Sequence, residues 1–576
     1  MDKITENLLK SYVEASELQN LNEAQQFERF ATYIVLSKLY GDVSSANDFC
    51  VGDGIQGIDS FAVIIDGVLV SDLSHLEDIL SGRNTFQVEF MFLQSKISDK
   101  FKLNDLSVFA DTIISLLVDQ DNNICPEFIN MYNLLLEKSD CFIENPIVRL
   151  YYVTLGKWVS PTAIEKKIER TKSTLLNSNL VSRVEFHAWG ANNVQSNWRT
   201  VSQGLKTSFL FENKTILPDI PQIDQSFLGI LPASEFIKII TDEDGEIRRA
   251  LFYDNVRDFQ GDVDVNTDIR KTLKSENKLK FCVLNNGITV VARSIKSTGN
   301  NFVIEDYQIV NGCQTSYILH SEQNNITNVH IPFRLIGTKD EEVAKMITIA
   351  TNKQNQVNKD NLLALREEQK EIEKYFDTYR NDEKHRIYYE RRSKQWNRSK
   401  EIHGTWRVIS LRNLLQTFVS IYFKMPQSTR HYSDLIKREE NNVFTSSNHP
   451  AYFYSAAYAY CKLEHFFRNS QIDRKFKPLR YHLLAGIRTA FTGSMERDRI
   501  ESKEDKALNS LKKFNEFLWN DEKYLKMLQN ISEIILKINK NGAISEFGRN
   551  AEQTKEMLTH ILIKYNKKTK LHKRVC

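Results

Sequence analysis

The chain has 576 residues, of which 41% are hydrophobic and 26% charged, with 10 Pro and 21 Gly. This length exceeds what one hydrophobic core supports, so two or three domains are expected, and the ordinary composition excludes a fibrous or largely disordered chain. The net charge of +3 restricts any nucleic-acid surface to a local patch, and seven scattered cysteines without a CxxC pair exclude a disulfide framework and a cysteine-rich zinc site.

The first part of the chain alternates strand and helix patterns. Strand patterns, rich in β-branched and aromatic residues, occur at 60–70, 88–96, 148–156 and 182–190. Helical patterns occur at 23–41, 101–118, 127–138 and 163–178. The first strand pattern turns at Asp66-Gly67, which predicts a β-hairpin. The alternation as a whole predicts an α/β domain over residues 1–225.

Prolines at 218, 221 and 232 mark the predicted end of this domain. A mixed α+β region, 226–400, follows it. There FCVLNNGITVVARSI (281–295) is typical of a strand, a turn and a second strand, whereas 341–351 and 362–376 are typical of helices. From 401 to 576 the patterns are helical, and the chain ends in a basic tail.

Polar residues of the first domain can converge where its strands begin and end. Asp59 precedes the first strand pattern, and Gln94 and Lys96 lie two apart at the end of the second, so these two side chains share one face. Phosphodiester hydrolysis needs a cation held by oxygen ligands and a positioned positive charge. We expect Asp59, the Gln94 amide oxygen and the Ser95 carbonyl to bind the cation. Lys96 would orient the water or stabilise the transition state, and Glu28 would hold the cation through water.

This order of residues resembles the Mrr-type branch of the PD-(D/E)xK nucleases. The resemblance covers residues 28–96 and is carried by Phe27-Glu28 on a helix, Gly57-Ile58-Asp59 opening a strand and Gln94-Ser95-Lys96 closing another. It implies a restriction-endonuclease-like fold and a nuclease that uses Mg²⁺ or Mn²⁺. In that branch Gln often replaces the acidic residue of the motif.

Two alternatives to an active nuclease stay open. Gln94 supplies less charge to a cation than a carboxylate does, so the region is also consistent with a degenerate copy that only holds nucleic acid. Taken singly, an aspartate before a strand is often a cap, and a polar residue at a strand end is often a solvated edge.

Amide-rich strings concentrate between residues 252 and 397. Asn and Gln side chains both donate and accept hydrogen bonds, which suits recognition of bases, and arginine suits phosphate. The candidate substrate-binding residues on this ground are Asn286, Asn311, Gln314, Arg391 and Arg392. The alternative is that the Asn-Gly pairs are turns that backbone geometry requires.

Four of these strings, NVRDFQG, LNNGIT, QIVNGCQTS and IATNKQNQV, together resemble the AIPR family, named for abortive infection and phage resistance. The resemblance covers roughly residues 225–400. It implies a bacterial antiphage protein, often with an Mrr-like nuclease region at its N-terminus, in which the AIPR region senses a trigger or binds substrate. The alternative is a sensor or regulatory partner of another defence effector.

The expected partners follow from these resemblances. They are nucleic acid, DNA rather than RNA, together with a phage-derived trigger or a protein encoded in the same operon. A homodimer is consistent with the way nucleases that cut both strands pair their active sites. The N-terminus MDKITENLLK is polar, and the chain has no apolar run of the roughly 20 residues that span a bilayer, so a cytoplasmic protein without a membrane partner is expected.

Overall fold

Two compact units divide the chain in the computed structural model. Unit 1 consists of Met1–Lys10, Phe27–Val70 and Arg83–Val357, and unit 2 of Ser11–Gln26, Ser71–Gly82 and Asn358–Cys576. The structure describes residues 2–41, 43, 46–51, 55–81, 83–121, 123–158, 161–242, 245–252, 264–351, 363–364, 366–391, 396, 405–498, 500, 505–539, 544–547 and 551–572. Arg392, the string NVRDFQG and most of IATNKQNQV lie outside these residues.

The first sheet belongs to unit 1. Its strands are β1 (Ser60–Ile65), β2 (Val68–Val70), β3 (Val88–Lys96), β4 (Ile147–Thr154) and β5 (Arg183–Trp189). Their order is β2-β1-β3-β4-β5. β1 runs antiparallel to β2 and β3, whereas β3, β4 and β5 are parallel. β1, β3 and β4 are buried over almost their whole length, which explains their nearly continuous apolar sequence.

Helices connect and flank these strands. Those described before residue 206 are α1 (Lys3–Ser16), α2 (Glu23–Tyr40), α3 (Leu73–Ser81), α4 (Leu103–Leu117), α5 (Pro126–Leu136), α6 (Thr162–Asn177) and α7 (Ala191–Gln203). Phe128 of α5 contacts the rings of Phe61, Phe90 and Phe92, so α5 covers one face of β1 and β3. α4 packs against α6.

The second sheet also belongs to unit 1. Its strands are β6 (Lys206–Leu210), β7 (Asn213–Ile216), β8 (Gln225–Pro232), β9 (Ile288–Thr298), β10 (Asn301–Asn311) and β11 (His330–Gly337), in the order β6-β10-β9-β11-β8-β7. β9 and β11 are parallel, and the other neighbours are antiparallel. A β-bulge between Ile309 and Asn311 interrupts the pairing of β10 with β9. The boundary predicted at residue 225 falls inside this sheet, because β6 and β7 precede it.

Helices cover both faces of the second sheet. They are α8 (Ala233–Ile240), α9 (Asp264–Lys274), α10 (Phe281–Leu284), α11 (Cys313–Ser321) and α12 (Glu341–Thr351). Phe236 of α8 joins Phe302 and Phe333 in the core on one face. On the other face, Val310 belongs to a smaller cluster that packs against Ile347 of α12.

Beyond residue 357 helices predominate. They are α13 (Glu367–Asp377), α14 (Leu411–Phe423), α15 (Tyr432–Val443), α16 (Pro450–Arg468), α17 (Arg480–Thr492), α18 (Asp505–Leu518), α19 (Asp521–Ile538), α20 (Ile544–Phe547) and α21 (Ala551–His572), with short parallel strands β12 (Tyr388–Glu390) and β13 (Val408–Ser410). α16 is buried along nearly its whole length, and its Phe453 stacks on Phe418 of α14. In the described part of the chain no helix is both long and apolar enough to cross a bilayer.

Helix α3 follows β2 in sequence but is part of unit 2. Its Asp78 accepts hydrogen bonds from the Arg412 guanidinium (2.6 Å) and from the Tyr432 backbone N–H (2.9 Å). The carboxylate of Glu77 accepts two hydrogen bonds from the Arg430 guanidinium. The Asp78 side chain is only 6% exposed. The connection from β2 to β3 is therefore anchored in unit 2 by buried charge.

The structure confirms most of the predicted elements and the succession of mixed α/β and helical regions; whether the first sheet is a PD-(D/E)xK domain stays a prediction. Two predictions are wrong. FCVL forms helix α10 rather than a strand, since Phe281 is buried but Val283 is 77% exposed and no core faces it. Residues 225–232 form β8 rather than a loop, because Pro232 stands at the strand end, where its missing N–H does little harm.

Candidate functional site

Asp59 lies where β1 begins, beside the end of β3. Its backbone N–H donates a hydrogen bond to the Leu93 carbonyl (2.8 Å). Its carboxylate oxygen Oδ2 accepts hydrogen bonds from the backbone N–H (2.5 Å) and from the hydroxyl (2.8 Å) of Ser95. The side chain therefore extends the β1–β3 ladder by one step, as a capping residue would. The other oxygen, Oδ1, takes no part in these two bonds.

Gln94 and Lys96 flank Ser95 on β3. Gln94 is 3% exposed, and its amide oxygen Oε1 is buried without a hydrogen-bond partner among the described residues. Lys96 is half-buried, and its positive charge acts on Asp59. The structure therefore places Asp59, Gln94, Ser95 and Lys96 next to one another. Their catalytic roles stay predictions.

Burial is the main influence on the Asp59 carboxyl. It raises the pKa of Asp59 above its usual range, and the hydrogen bonds from Ser95 and the charge of Lys96 oppose this rise without cancelling it. Ionised Asp59 is therefore unfavourable unless more positive charge is nearby. A carboxyl with this balance is suited to binding a cation.

Glu28 lies on α2, half-buried, one helical turn before Thr32. The Thr32 hydroxyl donates a hydrogen bond to the Glu28 carbonyl (2.8 Å) and is 3.0 Å from the hydroxyl oxygen of Ser60. Because Ser60 follows Asp59 directly, this turn of α2 packs against the start of β1. The predicted position of Glu28 near the site is consistent with this contact.

Oxygen atoms dominate the candidate cation site. In the described ranges, no group of three or more His, Cys, Asp or Glu side chains is placed to hold a metal ion. The donors here are instead one carboxylate, from Asp59, and one neutral amide, from Gln94. Mg²⁺ and Mn²⁺ prefer such oxygen donors, and the partnerless Gln94 oxygen fits a ligand role.

Tyr152 is a neighbour of this site that sequence analysis missed. β4 is parallel to β3, and their register places Tyr152 directly beside Gln94. Tyr152 is 1% exposed, and its hydroxyl is buried without a hydrogen-bond partner among the described residues. The sequence does not single it out, because the same strand also contains Arg149, Tyr151 and Thr154.

Two amide-rich strings of the second sheet meet where β9 begins and β10 ends. The Asn285 side chain accepts a hydrogen bond from the Gly287 N–H (2.9 Å) and donates one to the Thr315 hydroxyl on α11 (3.2 Å). Gly287 and Gly312 have φ angles of +84° and +95°, which L side chains rarely adopt. A Cβ on Gly312 would lie 2.7 Å from Ile288 Cγ1 and 3.1 Å from the Gly287 carbonyl oxygen. Backbone geometry therefore explains both glycines, which favours the turn interpretation of these strings.

Three of the predicted substrate-binding residues lie around these turns. Asn286 is exposed, Asn311 is half-buried at the end of β10, and Gln314 is half-buried in the first turn of α11. The approach of Gly312 to Gly287 brings their segments to the same edge of the sheet. Asn286 is the most accessible of the three to a ligand.

Arg391 is placed elsewhere, in unit 2, and is 3% exposed. Its guanidinium donates hydrogen bonds to the Glu373 carboxylate (2.9 Å) and to the Ala364 carbonyl (2.6 Å). These bonds and its burial give no support to the predicted phosphate contact. Arg392, predicted for the same role, lies outside the described residues.

A buried ion-pair network surrounds the opposite end of β3. The Glu89 carboxylate accepts hydrogen bonds from Arg149 on β4 (2.9 Å) and from Arg249 (2.8 Å), and Arg149 also pairs with Glu185 on β5. Burial acts to raise the pKa of Glu89, but Arg249 and Arg149 outweigh it, and the pKa falls to about 2. Within unit 1, Arg249 therefore ties the segment after β8 to the first sheet.

Comparison with known proteins gives a family match for the larger part of the chain. A family model described as AIPR protein matches residues 252–570, which is more than half of the 576 residues. No curated protein and no solved structure matches the chain. The match includes the amide-rich strings and the helices of unit 2 beyond residue 357, and it does not include the first sheet.

Proposed function

The chain belongs to the AIPR family, and from this membership we propose that it is an abortive-infection protein. We further propose that its N-terminal part, which lies outside the family match, hydrolyses DNA with Mg²⁺. The AIPR region would sense a phage-derived trigger or a partner encoded in the same operon. The nuclease proposal rests on one observation, the meeting of Asp59, Gln94 and Lys96 where β1 begins and β3 ends.

The order of elements around this point supports the proposal. Helix α2 precedes the antiparallel strands β1 and β3, and α4 leads from β3 towards the parallel strand β4. An acidic residue opens β1, and a lysine closes the neighbouring β3. This is the order that the resemblance to the Mrr-type nucleases implies.

Each residue of the site has a distinct proposed role. Bound Mg²⁺ would neutralise charge on the scissile phosphate and activate a water molecule. Asp59 and Gln94 would hold the cation through oxygen, and Glu28 would do so through water. Ser95 keeps the Asp59 carboxylate in place with two hydrogen bonds. The Lys96 ammonium would stabilise negative charge that builds up on the phosphate oxygens.

The test is incubation of the purified protein with plasmid, single-stranded DNA and RNA in Mg²⁺, Mn²⁺ or EDTA. We expect metal-dependent cutting of DNA, lowered about 100-fold or more in both Asp59→Ala and Lys96→Ala. Lys172→Ala is a matched control, since Lys172 is 30% exposed and pairs with Glu169 on the same helix. Cutting that survives in both site variants would contradict the assignment of the site.

A second candidate function is binding of nucleic acid without cleavage. Two observations favour it: Gln94 carries no charge, and Asp59 already serves Ser95 as a strand cap. Under this alternative the same assays would show binding under every metal condition and no cutting. Neither cutting nor binding, with phage protection retained, would favour a sensor that controls another effector.

A further inference from the structure

We propose that Asp105 is a second carboxylate of the cation site beside Asp59, with the Tyr152 hydroxyl and the Gln94 amide oxygen lining the same space. The inference rests on the proposed nuclease function, because it names a further ligand of that site. The ligand is a divalent cation that prefers oxygen, such as Mg²⁺ or Mn²⁺. Asp105 lies in the first turn of α4, the helix that follows β3.

Helical spacing directs Asp105 towards Tyr152. Asp105 is half-buried and lies four residues before Phe109 on α4, so the two side chains share one face of the helix. The Phe109 ring lies 6.2 Å from the Tyr152 ring, and the ring of Phe101, just before the helix, lies 5.9 Å from it. Asp105 therefore stands between two residues that both pack on Tyr152.

Two buried polar atoms without partners point to a missing ligand. The Gln94 amide oxygen and the Tyr152 hydroxyl have no hydrogen-bond partner among the described residues, although their residues are 3% and 1% exposed. The parallel register of β3 and β4 sets both side chains on the same face of the sheet. Buried polar atoms are nearly always paired, so a bound ion with its water would satisfy both.

The negative charges of Asp105 and Asp59 both act on Tyr152. Burial first, and then the negative charges of Asp105 and Asp59, raise the pKa of Tyr152. The second carboxylate supplies the negative charge that Gln94 lacks. The Tyr152 hydroxyl can donate a hydrogen bond to a carboxylate oxygen or to water at the site.

The experiment is titration of the full-length protein with Mn²⁺ in a calorimeter, without nucleic acid. We expect wild type to bind Mn²⁺, Asp105→Asn to bind it about tenfold or more weakly, and Tyr152→Phe to lose a smaller factor. Asp111→Asn is the matched control, because Asp111 lies on the same helix, is 66% exposed and pairs with Lys167. Thermal unfolding without metal checks that each variant folds.

The outcomes separate this inference from the function on which it rests. Wild-type affinity in Asp105→Asn together with loss of binding in Asp59→Asn would overturn the role of Asp105 and leave the proposed nuclease intact. Equal weakening in Asp105→Asn and Asp111→Asn would show a general charge effect and would also overturn it. Absence of Mn²⁺ binding by the wild type would overturn the inference and the metal-dependent function together.

Discussion

At Asp59, the folding stability of the protein and the proposed binding of a cation make opposite demands on one carboxyl group. Burial raises the pKa of Asp59, so its ionised form is unfavourable in the folded protein. A carboxyl whose folded-state pKa lies above its unfolded value stabilises the fold below the unfolded pKa. That contribution disappears as the pH rises through the folded-state pKa. At neutral pH without metal, a neutral side chain of the same shape should therefore suit the fold better.

Asp59→Asn is expected to raise the thermal unfolding midpoint of the metal-free protein at neutral pH and to abolish metal-dependent cutting. Asparagine keeps an oxygen that can accept the Ser95 hydrogen bonds but carries no charge. The measurement is thermal unfolding in EDTA over a range of pH. The gain should vanish below the ordinary aspartate pKa of about 3.9, where wild-type Asp59 is protonated too. A lower midpoint for the variant at neutral pH would contradict this account.

Gly312→Ala is expected to destabilise the second sheet by about 1–3 kcal/mol. The added Cβ meets Ile288 and the Gly287 carbonyl in addition to the unfavourable φ of +95°. Gly299→Ala is the matched control, because Gly299 has a φ of +63° with nothing within 4 Å of a built Cβ. Hydrogen exchange of β9 and β10 measures the difference. Equal effects of the two substitutions would show that close packing at Gly312 does not matter.

Strand β3 contributes residues to two different polar sites, one near each of its ends. Glu89, near its start, lies in the buried ion-pair network, and Gln94 and Lys96, at its end, belong to the candidate cation site. The strand between them is apolar and buried. Because Arg249 binds Glu89, a change in the segment that follows β8 can shift the strand that carries the site. This contact gives the segment after β8 a physical route to the first sheet.

Arg249→Ala is expected to destabilise the first sheet by about 2–3 kcal/mol at neutral pH, because Glu89 stays buried with one charged partner fewer. The pKa of Glu89 is lowered to about 2 from an ordinary 4.5, so this stabilisation is present above 4.5 and is lost as the pH falls towards 2. Urea unfolding against pH measures it. Arg183→Ala, at a 56% exposed arginine that pairs with Glu185, should have little effect.

Sequence periodicity predicted the elements whose burial is regular. β1, β3 and β4 are buried and rich in apolar residues, many of them β-branched or aromatic, so their apolar runs indicated strands. The strand prediction for FCVL was wrong because four apolar residues are too few to show a helical or a strand periodicity. Tertiary contacts alone determine which structure such a short segment adopts. Strand β8 was missed because the three prolines predicted a loop. Composition cannot distinguish a proline at a strand end from one in a loop.

Only part of the candidate site could be predicted in the same way. The meeting of Asp59 with Gln94 depends on the antiparallel pairing of β1 with β3, which the resemblance to the Mrr-type nucleases implied; the hairpin pattern predicts only the pairing of β1 with β2. Tyr152 and Asp105 depend on the parallel register of β3 with β4 and on the rotation of α4 over the sheet. These relations join residues distant in sequence and leave no local pattern. Glu89 and Arg149 were missed although each gives a clear signal, a charged residue inside a mostly apolar strand.

At the scale of the whole molecule, the chain passes more than once between the two units. Unit 2 takes its material from Ser11–Gln26 and Ser71–Gly82 as well as from Asn358–Cys576. Leu18, Leu76 and Leu80, which those early segments contribute, are buried. Folding of unit 2 therefore requires the N-terminal part of the chain.

Asp78→Ala is expected to weaken the attachment of α3 within unit 2 by about 2 kcal/mol, because Arg412 and the Tyr432 N–H lose a buried acceptor. Asp434→Ala is the control, since Asp434 is 66% exposed and pairs with Lys437 on the same helix. Hydrogen exchange of residues 73–81 reports the change. Unchanged protection of these amides in Asp78→Ala would show that apolar packing alone holds the helix.

The interleaved units also bear on how such a protein can evolve. A recombination event that replaced residues 1–225 with a foreign sequence would remove α3 and the segment Ser11–Gln26, and with them part of the interior of unit 2. Recombination therefore cannot exchange the N-terminal part between genes without also changing unit 2. The ancestry of the N-terminal part should follow that of the helices beyond residue 357, and natural hybrids should retain a matching α3.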